Sequence, residues 1–228
     1  MKYILLAFLL LLSPRAVASY ALIYAGQGVC EEGCATTFQY ILQKTDLRPV
    51  LVFNDSTNYD IFKDAKVWIQ PGGYSVEEIT YMPTSLYNKV INFVSNGGGY
   101  VGFCAGAFSA TQYIGTTGVL GFGIFPGSTQ LYGKGIDMLE INWGGKKRFI
   151  YWEGGPFLYN LPATAEPIAY YPTGQIAAAR STFGKGRVFI TGVHPEAPPY
   201  WRQDPYLPDP DGLDYDLVLE MIDWTIQK

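Results

Sequence analysis

The sequence predicts one α/β domain with a mostly parallel central sheet and an antiparallel β extension. Up to about residue 114, short apolar runs alternate with amphipathic segments, as is typical of βαβ units. From about 116 to 190 the apolar runs are joined by Gly and Pro turns, which indicates antiparallel strands. The chain has 228 residues, 48% of them hydrophobic and 16% charged, so it can bury a substantial core.

Residues 1–18 are predicted to be a signal peptide that precedes this domain. Lys2 comes before the apolar run "YILLAFLLLL", and "AVA" at 16–18 supplies the small residues of a cleavage site. Cleavage there leaves one domain at 19–228, which we expect to be exported to the periplasm or secreted. An uncleaved anchor is the alternative. No later apolar run reaches 18 residues, so no membrane contact is expected after cleavage.

The elements of the parallel part follow from apolar periodicity and from turn residues. Strands are predicted at 20–26, 48–53, 65–73 and 99–106, and helices at 34–44, 84–98 and 107–114. The helix at 84–98 is expected to begin with Thr84 as its N-cap. A last central strand at 186–192 and a closing helix at 213–228, with Leu217, Met221 and Trp224 on one face, complete the domain.

Charge and cysteine usage restrict the function. A net charge of −4 argues against nucleic acid as a partner, and the short basic run "GKKR" at 145–148 is typical of a solvated turn. The three cysteines are Cys30, Cys34 and Cys104. An odd number in an exported chain leaves one thiol over. The close spacing of Cys30 and Cys34 favours a disulfide between them, while a bond from Cys104 to either one is the alternative.

Cys104 lies in the sequence "GFCAG", which has the form of a nucleophile elbow. In such an elbow a strand turns sharply into a helix, and small flanking residues avoid clashes around a strained nucleophile. The position predicts a cysteine at the carboxyl edge of the sheet, where open α/β sheets bind ligands. A buried, unreactive thiol is the competing interpretation, because this short pattern also occurs by chance.

His194 is the candidate base for such a nucleophile, and it is the single histidine of the chain. It follows the apolar run of the last strand, so it is expected at the same sheet edge as Cys104. Glu196 follows two residues later, and in an extended stretch the two side chains would point the same way. A carboxylate there can orient the imidazole. A capping or surface role for His194 is the alternative.

Acyl transfer also needs donors for an oxyanion. The N–H of Ala105, directly after the nucleophile, is one candidate. Gly72 or Gly73, in the turn "QPGGYS", can supply the other, because glycine lets backbone approach a substrate closely. An ordinary strand-ending turn would have the same sequence.

The motifs "GGYVGFCAGAF", "IQPGGYS" and "GVHPE" together resemble the class I glutamine amidotransferase-like superfamily, a flavodoxin-like three-layer sandwich with a Cys-His-Glu triad. The chain is most similar to the N-terminal domain family of biotin–protein ligases and its stand-alone bacterial forms. Further similarity lies in "YAGQG" at 24–28, in the "FPG" at 125–127 and in "YWEGGPF" at 151–157.

The resemblance implies that Cys104 is the nucleophile, His194 the base and Glu196 the orienting carboxylate. It also implies an oxyanion hole at Gly73 and Ala105. Candidate substrate contacts are Gly72, Tyr74 and Glu153. The expected substrate is a small-molecule or peptide-like amide of unidentified structure, since Gln112 lies further from the elbow than the glutamine-holding segment of glutaminases. No cofactor or metal is predicted.

Three functions are compatible with these residues. The first is an exported cysteine hydrolase that cleaves a C–N bond. The second is the thiol chemistry of the DJ-1-like branch, in which an acidic residue lies near the cysteine; here Gln27 occupies the comparable turn, with Glu31 and Glu32 nearby. The third is a ligand-binding module that keeps the fold without turnover.

Overall fold

A computed structural model describes residues 19–56, 59–203 and 208–227. The predicted signal peptide lies outside these ranges, as does part of the proline-rich segment 196–212. Among the described residues, no helix has the length and apolar character needed to cross a bilayer.

The amino-terminal half alternates strands and helices, as the sequence predicts. Its elements are β1 (Ser19–Tyr24), α1 (Thr36–Ile41), β2 (Leu47–Val52), β3 (Ala65–Gln70), α2 (Ser75–Tyr81), α3 (Thr84–Ser95), β4 (Gly99–Phe103) and α4 (Ala105–Ala110). The β2, β1, β3 and β4 strands lie in that order and run parallel. Pro49 is in β2, at the edge of the sheet, where the absence of an N–H costs least.

The second half builds the antiparallel extension and returns to the central sheet. Its elements are β5 (Ser128–Leu131), β6 (Ile136–Trp143), β7 (Lys146–Glu153), β8 (Pro156–Tyr159), β9 (Glu166–Tyr170), β10 (Ile176–Phe183), β11 (Gly186–Thr191) and α5 (Tyr215–Ile226). The β11 strand pairs in parallel with β4, and β10, β9, β6 and β7 follow in antiparallel order. The β8 strand pairs with β10 and β5.

The central sheet is buried on both faces, which makes the domain a three-layer sandwich. On β1, Ala21 and Ile23 belong to the core that includes Phe38 of α1 and Met221 of α5. The intervening residues of β1 belong to the opposite core, with the inward residues of α3. Side chains of successive strand residues alternate between the two faces, so a strand covered on both sides must be apolar throughout. The predicted flavodoxin-like α/β fold with an antiparallel extension is confirmed.

Several boundaries differ from the prediction. The α3 helix begins at Thr84 itself with Pro83 as its N-cap, and no side chain caps it, so the predicted Thr84 cap is wrong. The α4 helix begins earlier than predicted, directly after Cys104, and ends at Ala110. The α2 helix was not predicted from the sequence. Within the predicted strand-rich region, residues 116–127 are mainly turns and loops rather than strands.

Candidate active site

Cys104 occupies the sharp turn between β4 and α4. Its backbone has φ 48° and ψ −102°, a positive φ that is uncommon for a residue with a side chain. The Cys104 N–H donates to Thr191 O of β11 at 2.9 Å, which ties the turn to the neighbouring strand. A Cβ at Gly102 would lie 2.5 Å from Gly106 O, and one at Gly106 would lie within contact of Gln70 O. The glycines of "GFCAG" are therefore required by close backbone packing.

His194 reaches the same edge of the sheet from β11. In the parallel pairing of β11 with β4, Thr191 lies opposite Phe103, so the chain leaves both strands at one end. His194 Nδ1 lies 2.8 Å from Glu196 Oε1, and both side chains are buried. The contact forms across a turn, closed by Ala197 N–H donating to His194 O at 3.0 Å. The pairing of His194 with Glu196 was predicted on the basis of an extended stretch, whereas the structure forms it across this turn.

The environment of His194 favours the imidazolium form. Burial opposes the charge, but the electrostatic influence of Glu196 and of Cys104 outweighs it and raises the pKa of His194 well above its usual value. Nε2 is buried and makes no hydrogen bond of normal length. The Cys104 thiol is near enough to affect that pKa, and it donates to Glu153 O at 3.4 Å. A rotation of the thiol from Glu153 O toward Nε2 would bring the thiol and the imidazole together.

Two aromatic rings hold the imidazole of His194 in place. Tyr151 and Trp201 lie edge-on to it, with ring centroids at 5.8 and 5.7 Å. The His194 N–H also donates to Tyr151 O at 2.8 Å. Neither aromatic was predicted as a site residue, because Tyr151 comes from the extension and Trp201 from a 3₁₀ turn at Pro199–Arg202.

The Gly72–Gly73 turn forms the other side of the site. Gly73 has φ +149°, and the turn is bonded to the loop after β1 through Cys30 N–H to Gly72 O at 3.2 Å and Tyr74 N–H to Gly28 O at 2.7 Å. A Cβ on Gly72 would lie 2.8 Å from His194 Cε1. Within the described ranges, neither the Gly73 nor the Ala105 N–H donates to another backbone group. Both candidate oxyanion donors are thus unused by the fold.

Cys30 and Cys34 form a disulfide with a Cα–Cα distance of 5.5 Å, and Cys104 is a buried free thiol. The bridge closes a tight loop beside the Gly72–Gly73 turn, because a Cβ on Gly72 would lie 3.5 Å from Cys34 Sγ. The disulfide therefore belongs to the wall of the site.

These residues surround one cleft of about 1120 Å³. Of the predicted site residues, those that line it are Cys104, His194, Gly73, Tyr74, Glu153, Cys30 and Cys34. Glu196 pairs with His194, Gly72 is packed against the His194 ring, and Ala105 follows Cys104. Gln27, Glu31 and Glu32 also line the cleft, whereas Gln112 does not. In the part of the chain that the structure describes, no cluster of three His, Cys, Asp or Glu residues could hold a metal.

A buried polar chain lies beneath the turn and was also missed. Trp68 Nε1 donates to Gln70 Oε1 at 2.8 Å, and Gln70 Nε2 donates to Glu78 Oε2 at 2.9 Å. Glu78 is fully buried, and burial raises its pKa to about 8 against the hydrogen bond from Gln70, which lowers it. The carboxyl is therefore neutral at pH 7. No sequence signal distinguishes Glu78 from an exposed helix residue.

Residues 19–117 match the family model described as biotin-protein ligase, N terminal. The resemblance predicted from the sequence is confirmed. The biotin–protein ligase of Schizosaccharomyces pombe is 24% identical over 207 residues, which cover 77% of this chain and 33% of the ligase. The chain thus spans about a third of the length of that curated relative.

Solved structures similar to this chain include glutamine amidotransferases. One crystal structure of a glutamine amidotransferase has a TM-score of 0.63 at 18% identity and covers 91% of this chain and 100% of its own. A glutamine amidotransferase from Thermotoga maritima has a TM-score of 0.56 at 12% identity and covers 78% and 76%. At these identities the likeness establishes the glutamine amidotransferase-like fold alone.

Proposed function

We propose that this chain is a cysteine-dependent amidase that cleaves a C–N bond through Cys104, His194 and Glu196. The observation that supports it most is the placement of a strained cysteine and an oriented histidine at the ends of two paired parallel strands. That arrangement is the nucleophile, base and orienting group of covalent acyl transfer.

In the proposed reaction, the proton of Cys104 passes to His194 Nε2 to give a thiolate–imidazolium pair, and the thiolate attacks the amide carbonyl. Glu196 accepts a hydrogen bond from the Nδ1–H group and stabilises the imidazolium. The N–H groups of Gly73 and Ala105 receive the oxyanion. His194 then protonates the leaving amine, and a water molecule deprotonated by the same imidazole hydrolyses the thioester, which releases the acid and restores the thiol.

We also propose that the protein works outside the cytoplasm. The Cys30–Cys34 disulfide supports this, because such bonds persist in oxidising compartments. The predicted signal peptide has the same implication.

The first test is alkylation of Cys104 by iodoacetamide at pH 6, followed by intact mass. We expect the unchanged chain to react at least about tenfold faster than His194→Gln, because the imidazolium stabilises the thiolate at a pH where an isolated thiol is nearly all protonated. Cys104→Ser identifies the labelled site, and near-UV circular dichroism checks that each variant is folded. His194→Ala and Glu196→Gln provide independent variants of the base and its partner.

Equal rates in the folded His194 variants and the unchanged chain would contradict the amidase. The fold would then be better explained as a ligand-binding module.

A further inference from the structure

The cleft at Cys104 has acidic walls. Four of the residues that line it are glutamates, and the set is Glu31, Glu32, Glu77 and Glu153. All four are exposed, and none of the described residues lining the cleft is Lys or Arg. The cleft therefore presents negative charge that the fold itself does not balance.

Several basic side chains elsewhere form ion pairs with other carboxylates. Arg148 and Arg202 both bind Asp214, Arg180 binds Glu166, and Lys147 binds Glu140. By contrast, none of the four cleft glutamates forms an ion pair with a described residue. Tyr151 donates its hydroxyl to Glu153 Oε2 at 2.9 Å, which fixes that carboxylate without neutralising it.

Two of the four glutamates are carried on a rigid wall. Glu31 and Glu32 lie inside the Cys30–Cys34 disulfide loop. Tyr200 Oη and Trp201 Nε1 each donate to Glu32 O at 2.9 Å. Adjacent carboxylates repel each other, so holding them together at a cleft mouth costs free energy that a positively charged ligand would offset.

A second observation connects this wall to a ligand. His194 Nε2, on a side chain that is about 95% buried, has no hydrogen-bond partner and faces the same cleft. In the proposed reaction Nε2 exchanges protons with Cys104 and with the leaving amine, so the acidic wall surrounds the place that the amine must reach.

We infer that the amide cleaved at this site carries a positive charge close to the scissile bond, such as the ammonium of a basic side chain or of a diamine. The inference rests on the proposed function and gives its substrate class. A substrate with a free carboxylate beside the amide would be repelled by all four glutamates. The charged wall also raises the local concentration of cations, which speeds their encounter with Cys104.

Three alkylating reagents of different charge test the inference without a known substrate. Iodoacetate, iodoacetamide and (2-bromoethyl)trimethylammonium are each reacted with the full chain, and each rate is divided by that of N-acetylcysteine. The readout is the normalised alkylation rate with the cationic reagent divided by that with the anionic reagent, at about 10 mM ionic strength. His194 as imidazolium favours iodoacetate, so the change between variants matters more than the absolute ratio.

We expect Glu31→Gln with Glu32→Gln to lower this ratio about tenfold, which is the size of effect that two charges exert on a charged reagent about 10 Å away in water. Glu77→Gln with Glu153→Gln should act in the same direction, and about 0.5 M salt should reduce both effects. The matched control is Asp46→Asn with Asp64→Asn, which removes the same charge before β2 and β3, at the opposite edge of the sheet. It should leave the ratio unchanged.

The outcomes separate the inference from the proposed function. An unchanged ratio in both glutamate variants, or an equal change in the control, would overturn the cationic substrate while leaving the amidase in place. A rate of iodoacetamide alkylation that does not depend on His194 would overturn the amidase and this inference with it.

Discussion

Glu78→Gln should stabilise the protein increasingly as pH rises. Burial raises the pKa of this carboxyl from its ordinary 4.5 to about 8 in the folded chain. Between these values the unfolded chain has released the proton and the folded chain keeps it, so stability falls as pH increases. Below about pH 4.5 the cost is absent, and above about 8 it is complete. At 1.36 kcal/mol per pH unit, the full cost is about 5 kcal/mol.

Glutamine matches the neutral acid in shape and can still accept the hydrogen bond from Gln70. Its amide N–H groups replace an Oε1 atom that already lacks a partner, a cost that does not vary with pH, so the pH dependence of the difference reports the ionisation alone. The assay is urea unfolding of the unchanged chain and the variant from pH 5 to pH 9, followed by tryptophan fluorescence. We expect the difference in unfolding free energy to grow by about 3 kcal/mol between pH 5 and pH 8. Glu77→Gln, an exposed neighbour on the same helix, should show no such growth. Parallel curves for Glu78→Gln and the unchanged chain would refute the reasoning.

Two further substitutions test the packing around the site. Gly106→Ala places a Cβ against the Gln70 backbone, and we expect the free energy of unfolding to fall by about 2–3 kcal/mol and the alkylation of Cys104 to slow. The control is Gly118→Ala, which has open space around it and should cost at most about 1–2 kcal/mol. A loss for Gly118→Ala as large as that for Gly106→Ala would refute the clash. Arg202→Met removes the guanidinium that binds Asp214, Asp209 and Ala197 O, and should cost about 3–5 kcal/mol. Adding Asp214→Asn to Arg202→Met should recover part of that loss. If the unfolding costs of the two single substitutions simply add in the double variant, the ion pair between Arg202 and Asp214 is contradicted.

The parts of the fold that the sequence predicts are those in which apolar periodicity reports burial. Apart from Lys66, the β3 and β4 strands are buried on both faces and are mostly apolar, and α3 has a clear apolar stripe. The α2 helix was missed because its fully buried side chain is Glu78, so its inward face carries a carboxyl where a pattern search expects an apolar residue. The Thr84 cap was wrong because Pro83 already sets the extended backbone before the helix.

Some residues of the candidate site can likewise be predicted from the sequence, and others cannot. Cys104 and His194 can be placed from the sequence, since the ends of parallel strands meet at one sheet edge. Tyr151 and Trp201 could not be placed, because their contacts with His194 depend on how the antiparallel extension and a 3₁₀ turn pack back onto that edge. The sequence puts these residues 43 and 7 positions from His194 and says nothing about their approach in space.

The buried acid beneath the site is better explained by positioning than by stability. Gln70 lies where the elbow and the glycine turn meet: its carbonyl packs against Gly106, Pro71 O accepts the Gly106 N–H at 3.1 Å, and its side chain binds Glu78. A leucine in place of Glu78 would remove the ionisation cost but leave the Gln70 amide unpaired, at about 1–3 kcal/mol. At pH 7 the ionisation cost of Glu78 and the cost of an unpaired Gln70 amide are of similar size, so stability alone does not favour glutamate over leucine at this position. The advantage lies in the direction that its hydrogen bond gives to the Gln70 side chain, and therefore to the backbone that leads into Gly72 and Gly73.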